Sequence, residues 1–366
     1  MVGTPLQTNL LTTLLGLITG LGLYLVLINR VLSYLDKGAK SFVSGFGFLF
    51  LVGGFTIFGY LSSDSAWVLL LFLVIALIVI GETRSLLIQR SHIGAPPVAR
   101  TGPQSTLLRP STTTDLQVYR YKVPVSSWPG KRVRVAHLSD LHVNDHIPLG
   151  YYLNVIDQVN NAQPDLIFFT GDFITKLESI HLLPAILREA SSRFGIFAIL
   201  GNHDHWADPE RVATTVSSTG VQMLHNGWQR LSLNGEGNLL IQGCEDPWSP
   251  DKWSATAMQP EELALVLSHT ADNIYRLSKA GAKAVFSGHY HGGQFKIPGL
   301  GPVIIPSKYG RRFHHGHFVV NGTHLFVTAG VGAAEPPLRI YCPPDIFIVD
   351  FVGKSGAGET PVDPTL

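Results

Sequence analysis

The tetrapeptide Gly201-Asn202-His203-Asp204 follows directly after an apolar run at residues 194–200. The run predicts a buried strand, and the tetrapeptide predicts a loop at its carboxyl end. Asn offers an amide oxygen to a cation, His transfers protons near neutral pH, and Asp can hold a His in one tautomer. Glycine permits the sharp backbone turn that such a loop needs. In isolation these residues also fit an ordinary turn, so their interpretation depends on the rest of the chain.

Four other polar clusters repeat this arrangement at the ends of predicted strands. They are Ser139-Asp140-Leu141-His142, Gly171-Asp172, Ser268-His269 and Gly288-His289-Tyr290-His291. Strands are predicted at residues 116–125, 131–138, 165–170, 195–200, 263–267, 283–287, 303–305, 325–328 and 346–351, and helices at 149–162, 181–193, 209–218 and 272–280. This alternation favours an α/β sandwich flanked by helices. Because ligand sites gather at the carboxyl ends of strands in such sheets, we expect the five clusters to meet.

The overall composition limits the partners of the chain. Among 366 residues only 14% are charged, and the net charge is +1. No basic field therefore indicates nucleic-acid binding. The two cysteines, Cys244 and Cys342, have no short spacing, which favours ordinary thiols over a zinc site and leaves a single disulfide open.

The first 81 residues are strongly apolar and predict a transmembrane segment within residues 1–90. Helices at 10–29, 42–61 and 64–82 are each near the length that a membrane span requires. The third run is the shortest, so two spans with an interfacial helix remain the alternative. No basic residue precedes the first run, which argues against a cleaved signal peptide.

The distribution of basic residues predicts the orientation. Arg30, Lys37 and Lys40 follow the first span, and further arginines, Arg84 and Arg90 among them, follow the third. The positive-inside rule places both connections in the cytoplasm, and with three spans the large domain lies there too. Residues 91–115 are rich in Pro, Gly, Ser and Thr and predict a linker, residues 116–353 a catalytic domain, and residues 354–366 a flexible tail.

The residue types in the five clusters point to metal chemistry. Carboxylate, imidazole and amide oxygen together suit divalent Mn, Fe, Zn or Co. A carboxylate can bridge two ions, and such a pair of ions polarises a phosphoryl oxygen and lowers the pKa of a water nucleophile. Each cluster alone also fits a turn or a buried histidine. Their joint occurrence in this order, each after an apolar strand, favours the metal site.

The order Asp-x-His, Gly-Asp, Gly-Asn-His-Asp, His, Gly-His-x-His resembles that of the calcineurin-like metallophosphoesterase superfamily over residues 116–351. The resemblance implies a double β-sandwich flanked by helices and a dinuclear site. It assigns one ion to Asp140, His142, Asp172 and His291, and the other to Asp172, Asn202, His269 and His289. His203 becomes the proton donor or the phosphate-positioning group, and Asp204 its orienting partner.

Further motifs make the chain similar to a membrane-associated bacterial branch that includes UDP-2,3-diacylglucosamine pyrophosphate hydrolases. They are Ser287-Gly-His-Tyr-His-Gly-Gly-Gln-Phe295, the Ile-Pro-Gly stretch that follows it, Gly330-Val-Gly-Ala333 and Pro343-Pro-Asp345. Asp345 stands where that branch usually carries Glu. The resemblance implies a phosphohydrolase of the inner membrane that acts on a phosphorylated lipid. A phosphodiesterase for soluble nucleotides and a non-catalytic membrane sensor are the alternatives. Side chains that could contact the substrate are Trp248, Trp253, Arg311, Arg312, His314 and Arg339.

Overall fold

The computed structural model describes residues 5–30, 37–61, 65–103, 106–259 and 261–356. The chain divides into two compact units. Residues 1–91 and 303–312 form one, here called the helical unit. Residues 92–302 and 313–366 form the other, here called the sheet unit. The predicted tail lies outside the described residues from residue 357 onward.

Long helices make up most of the helical unit. They are α1 (Pro5–Arg30), α2 (Lys37–Gly47), which continues through a π-helical segment (Phe48–Gly53) into α3 (Gly54–Leu61), and α4 (Ser65–His92). The stretches Leu10–Asn29, Phe42–Leu61 and Val68–His92 are long and apolar enough to cross a membrane. They coincide with the three predicted spans, and the third extends ten residues beyond the predicted limit at residue 82.

Glycines bring α1 close to the helix that follows it. A Cβ atom at Gly16 would lie 2.2 Å from the carbonyl oxygen of Phe55, and one at Gly59 would lie 2.2 Å from that of Thr12. Only a residue without a side chain permits this approach of two backbones. Small residues at the contact are typical of helix pairs that associate within a membrane.

The segment at residues 303–312 joins the helical unit through Asn29. The Asn29 side chain accepts a hydrogen bond from the Ile305 N–H at 2.7 Å and donates one to the Val303 carbonyl at 3.2 Å. The Asn29 carbonyl accepts from the Ser307 N–H at 3.0 Å. The strand predicted at residues 303–305 is therefore wrong, because these backbone groups pair with a helix end instead of a neighbouring strand.

The sheet unit contains fifteen described strands and five helices of its own. The strands are β1 (Ala99–Thr101), β2 (Gln117–Val125), β3 (Arg132–Leu138), β4 (Leu166–Phe169), β5 (Ile196–Ala198), β6 (Gln222–Met223), β7 (Trp228–Ser232), β8 (Asn238–Cys244), β9 (Glu262–Ser268), β10 (Ala284–Ser287), β11 (Lys296–Ile297), β12 (Gly301–Pro302), β13 (Gly316–Val320), β14 (Thr323–Val327) and β15 (Asp345–Gly353). The helices are α5 (Leu149–Asn161), α6 (Leu183–Leu187), α7 (Asn202–Ala207), α8 (Pro209–Ser217) and α9 (Ile274–Lys279).

Two sheets pack against each other, which confirms the predicted double sandwich. The first has the order β1-β2-β15-β3-β4-β5-β6, and the second has the order β13-β14-β10-β9-β8-β7. The strands that carry the polar clusters are parallel neighbours: β3 pairs with β4, β4 with β5, and β9 with β10. Their carboxyl ends therefore lie at the same edge within each sheet.

Alternate side chains of β4 show how the two cores are built. Leu166 and Phe168 belong to the core between the sheets, while Ile167 and Phe169 belong to the core beneath α5, α6 and α8. All four side chains are fully buried. A strand that is apolar on both faces is typical of a sheet covered on both sides, and this covering holds the ends of the strands in place.

Two further regions differ in detail from the sequence prediction. The helix predicted at residues 181–193 is shorter, because a 3₁₀ helix (Leu177–Leu182) leads into α6 and the helix ends by residue 187. The segment predicted as a linker belongs to the sheet unit from residue 92 onward and pairs with its other elements: β1 pairs antiparallel with β2, and the Thr112 N–H donates to the Arg339 carbonyl at 2.9 Å. The boundaries of the domains stay a prediction.

Candidate metal centre

Five loops meet where the clustered strands end. Asp140 and His142 follow β3, Asp172 follows β4, and Asn202 begins α7 after β5. In the second sheet His269 follows β9, and His289 and His291 follow β10. The seven predicted ligands are all buried: Asp140, His142, Asp172, Asn202, His269, His289 and His291. The structure thus brings together every side chain that the sequence predicts as a ligand.

The backbone at these positions is unusual for residues with side chains. Five of the seven have positive φ angles: Asp140 (52°), His142 (41°), Asp172 (55°), His289 (70°) and His291 (51°). Few residues other than glycine adopt this left-handed conformation, and its strain persists where the surrounding structure imposes it. Such strain gathers at functional sites, so it supports a functional role for these loops.

Asp140, His142, Asp172 and His291 form one group, whose potential ligand atoms all lie within 4.8 Å of one another. The His142 Nε2 atom lies 3.4 Å from Asp172 Oδ2, and the His291 Nε2 atom lies 3.4 Å from Asp140 Oδ1. The two Nε2 atoms are 3.1 Å apart. Nitrogen and oxygen lone pairs that converge in a buried space require a cation or a proton between them.

Asp172 also belongs to a second group, together with His269 and His289. The Asp172 Oδ2 atom lies 3.3 Å from His269 Nε2. The side-chain oxygen of Asn202 lies 3.1 Å from the same nitrogen. The donors in both groups are imidazole nitrogens and neutral or anionic oxygens, which fit a borderline divalent ion. The same carboxylate therefore faces both groups of ligands.

Outer hydrogen bonds orient the histidine rings. The His142 Nδ1 atom lies 2.8 Å from the Thr175 hydroxyl, and the His269 Nδ1 atom lies 2.6 Å from the Thr170 carbonyl. A carbonyl accepts only from a protonated ring nitrogen, so His269 carries its proton on Nδ1. This tautomer leaves Nε2 available as a metal ligand. Neither threonine was singled out in the sequence, although Thr170 directly precedes the Gly-Asp cluster.

The electrostatics of the site follow from its burial and its mixed charges. Burial acts to raise the pKa of Asp172, but His269, His203 and His142 outweigh it and hold that pKa well below its ordinary value. Burial acts to lower the pKa of His269, but Asp172 raises it to about 9. Burial and the neighbouring His142 hold the pKa of His291 well below its ordinary value. An anionic Asp172 beside the buried imidazoles suits a cation, which would displace the Nε2 proton that the raised pKa leaves on His269.

His203 lies beside the first group of ligands. Its ring meets the His142 ring edge-on at a centroid distance of 4.8 Å. Its backbone N–H donates to Asp172 Oδ1 at 2.8 Å. The carboxylate of Asp204 accepts hydrogen bonds from the backbone N–H groups of Gly201, Phe173 and Ile174. Asp204 thus connects the loop after β5 to the loop after β4.

Two glycines allow these loops to approach each other. A Cβ atom at Gly201 would lie 2.2 Å from Asp172 Oδ1, and one at Gly288 would lie 2.0 Å from Asp140 Oδ2. A side chain at either position would displace a carboxylate of the site. The glycine of the opening tetrapeptide is therefore required for close packing, whereas its backbone is extended (φ −103°), so the prediction that the turn itself needs a glycine is wrong.

The predicted substrate contacts have different surroundings. Trp248 is half-buried and lies against two ligand rings, 5.0 Å from the His289 centroid and 5.4 Å from the His269 centroid. Trp253 is buried, and the Arg276 guanidinium lies 5.0 Å from its ring centroid. Of the two tryptophans, Trp248 is thus the one whose ring lies against predicted metal ligands.

Arg339 lies beneath the site, with its side chain fully buried. Its guanidinium donates to the carbonyls of Gly332 and Ala329 at 2.7 and 2.6 Å, and to the His291 carbonyl at 3.3 Å. These contacts are those of a positioning residue, and they replace the substrate contact predicted from the sequence. Arg311 and Arg312 group with the helical unit. Their role, like that of His314, stays a prediction.

Comparisons with known proteins agree with this geometry. A family model described as calcineurin-like phosphoesterase matches residues 133–293. The uncharacterized metallophosphoesterase YkuE of Bacillus subtilis is 31% identical over 222 residues, which are 59% of this chain and 77% of YkuE. The chain belongs to the calcineurin-like phosphoesterase family. Members of this family hydrolyse phosphoesters, and the buried Asp and His groups of this chain are compatible with their divalent metal site.

Two relatives have more specific names. Phosphodiesterase YaeI of Escherichia coli is 26% identical over 231 residues, which are 60% of this chain and 82% of YaeI. The UDP-2,3-diacylglucosamine pyrophosphatase LpxG of Chlamydia muridarum is 28% identical over 218 residues, which are 45% of this chain and 65% of LpxG. This phosphoesterase is therefore similar both to a phosphodiesterase and to a pyrophosphatase.

Glu245 is a buried residue of this phosphoesterase that the sequence analysis did not assign to the site. Its carboxylate accepts from the Leu200 N–H at 2.8 Å and lies 3.1 Å from His205 Nε2 and 3.2 Å from His225 Nδ1. It thereby supports the strand end that leads into Gly201. The sequence does contain a pattern that indicates this role. Glu245 directly follows the apolar strand β8, just as each of the five clusters follows an apolar strand.

We expect Glu245→Gln to lower the stability of this phosphoesterase in a pH-dependent way. Burial acts to raise the pKa of Glu245, but hydrogen bonds from His205, His225 and the Leu200 N–H lower it to about 2. A carboxylate with a depressed pKa stabilises the fold fully above its unfolded pKa, and this contribution is lost as pH falls through the folded value. The shift corresponds to stabilisation on the order of 3 kcal/mol.

The measurement is the melting temperature of the wild type and the variant between pH 6 and pH 3. The difference between them should be largest near pH 6 and should shrink as pH falls below about 4.5. The exposed Glu189→Gln variant is the matched control and should melt like the wild type. A difference for Glu245→Gln that stays constant with pH would contradict the assigned pKa.

Proposed function

We propose that this protein is a membrane-anchored phosphohydrolase that uses two divalent ions to cleave a phosphodiester or pyrophosphate bond in a lipid-linked substrate. The observation that carries the proposal is the position of Asp172, which belongs to both groups of ligands. One ion would be held by Asp140, His142, Asp172 and His291. The other would be held by Asp172, Asn202, His269 and His289. When bound, such ions polarise a phosphoryl oxygen and lower the pKa of a water nucleophile.

The remaining site residues would act on protons and position. The His203 ring, next to His142, is the group that donates a proton to the leaving oxygen or positions the phosphate. Asp204 acts through the backbone, because its carboxylate holds the amides on both sides of this loop. Trp248 lies against His269 and His289 and is a candidate wall of the substrate site.

A lipid-linked substrate is supported by two separate features. Within the described residues three helices are long and apolar enough to cross a membrane, and apolar side chains such as Leu10 and Leu49 are 72% exposed on them. LpxG, one of the relatives, is named for a pyrophosphatase activity on a diacylated nucleotide sugar. The basic residues Arg30, Arg84 and Arg90 favour a cytoplasmic face for the catalytic domain.

The metal-dependent reaction can be tested with bis-p-nitrophenyl phosphate and added Mn²⁺. We expect Asp172→Ala to abolish turnover, because both groups of ligands lose their shared carboxylate. His203→Ala should lower kcat by roughly 10²–10⁴-fold, the usual loss for a proton-transfer group. The exposed His146→Ala variant, which changes a histidine in the same region of the chain, is the control and should retain full activity. Wild-type turnover in Asp172→Ala or His203→Ala would exclude this site.

The choice of substrate requires a separate comparison. We expect the full chain in detergent to hydrolyse UDP-2,3-diacylglucosamine with a kcat/KM at least about tenfold above that for a UDP-sugar without acyl chains, because acyl chains add apolar contacts. Release of UMP or of nucleotide from each substrate gives the rates. Equal values for the two substrates would favour the alternative of a phosphodiesterase for soluble nucleotides.

A further inference from the structure

A basic pocket lies in the sheet unit, and none of its residues is a predicted metal ligand. It has a volume of about 240 Å³ and is lined by Arg100, Tyr119, Lys296, His315, Ala329, Tyr341 and Pro343. Pockets for drug-sized ligands usually have volumes of roughly 300–1,000 Å³. The basic pocket is therefore suited to a small polar group rather than to a whole organic ligand.

The charge of the basic pocket comes from Arg100 and Lys296. The Arg100 guanidinium donates to the neutral side-chain oxygen of Gln117 at 2.9 Å and lies 5.2 Å from the Tyr119 ring centroid. In the part of the chain that the structure describes, neither cation forms a salt bridge. The His315 ring lies 2.5 Å from the carboxylate of the buried Asp345, so this carboxylate has a partner other than Arg100 and Lys296. The positive charges of Arg100 and Lys296 favour an anion.

Exposed apolar side chains stand beside this pocket. Leu107 and Leu108 are 71% and 97% exposed, and Ile297 and Leu300 are 49% and 59% exposed. We call these four residues the apolar rim. Apolar side chains exposed in a group mark a surface that contacts a partner or a membrane.

Backbone contacts connect the apolar rim to the pocket wall. The Tyr341 hydroxyl, part of the wall, donates to the Leu107 carbonyl at 2.8 Å. Ile297 follows Lys296 directly on β11, and the Leu300 N–H donates to the Ile297 carbonyl in the hairpin that leads to β12. Both apolar segments are thus attached to residues that line the pocket, one through Tyr341 and the other through Lys296.

We propose that the basic pocket binds the phosphate group of an anionic membrane lipid, and that the apolar rim enters the acyl-chain region. Arg and Lys are the side chains that recognise phosphate, and Tyr119 adds a hydroxyl group to the lining. A free phosphate would make no apolar contact with the apolar rim, and an uncharged lipid would bring no negative charge to Arg100 and Lys296. An anionic lipid satisfies both features of this surface.

The pocket adjoins the loop that carries a metal ligand. The Lys296 Nζ atom lies 3.6 Å from the position of a Cβ at Gly292, the residue after His291. Lipid bound at this place holds the catalytic site at the surface where lipid-linked phosphates are found. The proposal concerns binding and does not depend on which bond the metal centre cleaves.

The experiment is native mass spectrometry of the full chain in dodecyl maltoside with dihexanoyl phosphatidic acid. We expect the double variant Arg100→Gln/Lys296→Gln to bind this lipid at least tenfold more weakly than the wild type. The variant Lys122→Gln/Lys131→Gln removes the same charge from two exposed lysines outside the pocket and should bind like the wild type. Equal binding by the wild type and the Arg100→Gln/Lys296→Gln variant would overturn the proposal.

A second arm distinguishes the source of the phosphate. Leu107→Ser/Leu108→Ser should weaken the binding of dihexanoyl phosphatidic acid at least fivefold and leave the binding of inorganic phosphate, measured by calorimetry, unchanged. Lipid binding that is unaffected by this variant would overturn the lipid assignment in favour of soluble phosphate. Every sample contains the same metal centre, so any phosphate that binds there contributes equally to the wild type and the variants. Because no turnover is measured, failure here leaves the hydrolysis tested above intact.

Discussion

The buried carboxylate of Asp172 is the feature on which the rest of the site depends. It lies 3.4 Å from the Nε2 atom of His142 in one sheet and 3.3 Å from that of His269 in the other. It also accepts the backbone N–H of His203. A charge in a dry interior is costly unless it is paired and hydrogen-bonded. Asp172 is paired with His142, which follows a strand of the first sheet, and with His269, which follows a strand of the second sheet. It therefore connects the two sheets at the point where their strands end.

The surrounding protein provides the partners that this arrangement requires. Asp204 holds two of the loops through backbone amides, and the buried guanidinium of Arg339 holds the carbonyls behind His291. The left-handed backbone at five ligands is maintained by such contacts rather than by local preference. The covered sheets beneath supply the rigid base. Precise placement of the ligands is therefore a property of the whole double sandwich, and a metal ion adds to an arrangement that the apolar cores already impose.

The strand pattern was sufficient to predict an α/β sandwich and the meeting of the five clusters, because each cluster follows an apolar strand and strand ends meet in this architecture, while the resemblance to the family added the double β-sandwich. The sequence was not sufficient to predict the position of groups whose partners lie far away in the chain. Arg339 reaches the site from 48 residues beyond His291. The strand predicted at residues 303–305 failed because Asn29, far away in the chain, takes its hydrogen bonds. Patterns within a short window contain no information about such partners.

Anomalous scattering from crystals of the full chain grown with Mn²⁺ tests most directly whether two ions share the carboxylate of Asp172. We expect two manganese peaks, both in contact with Asp172, one also in contact with His142 and His291 and the other with His269 and His289. A single peak, or two peaks of which one lies away from Asp172, would contradict this expectation.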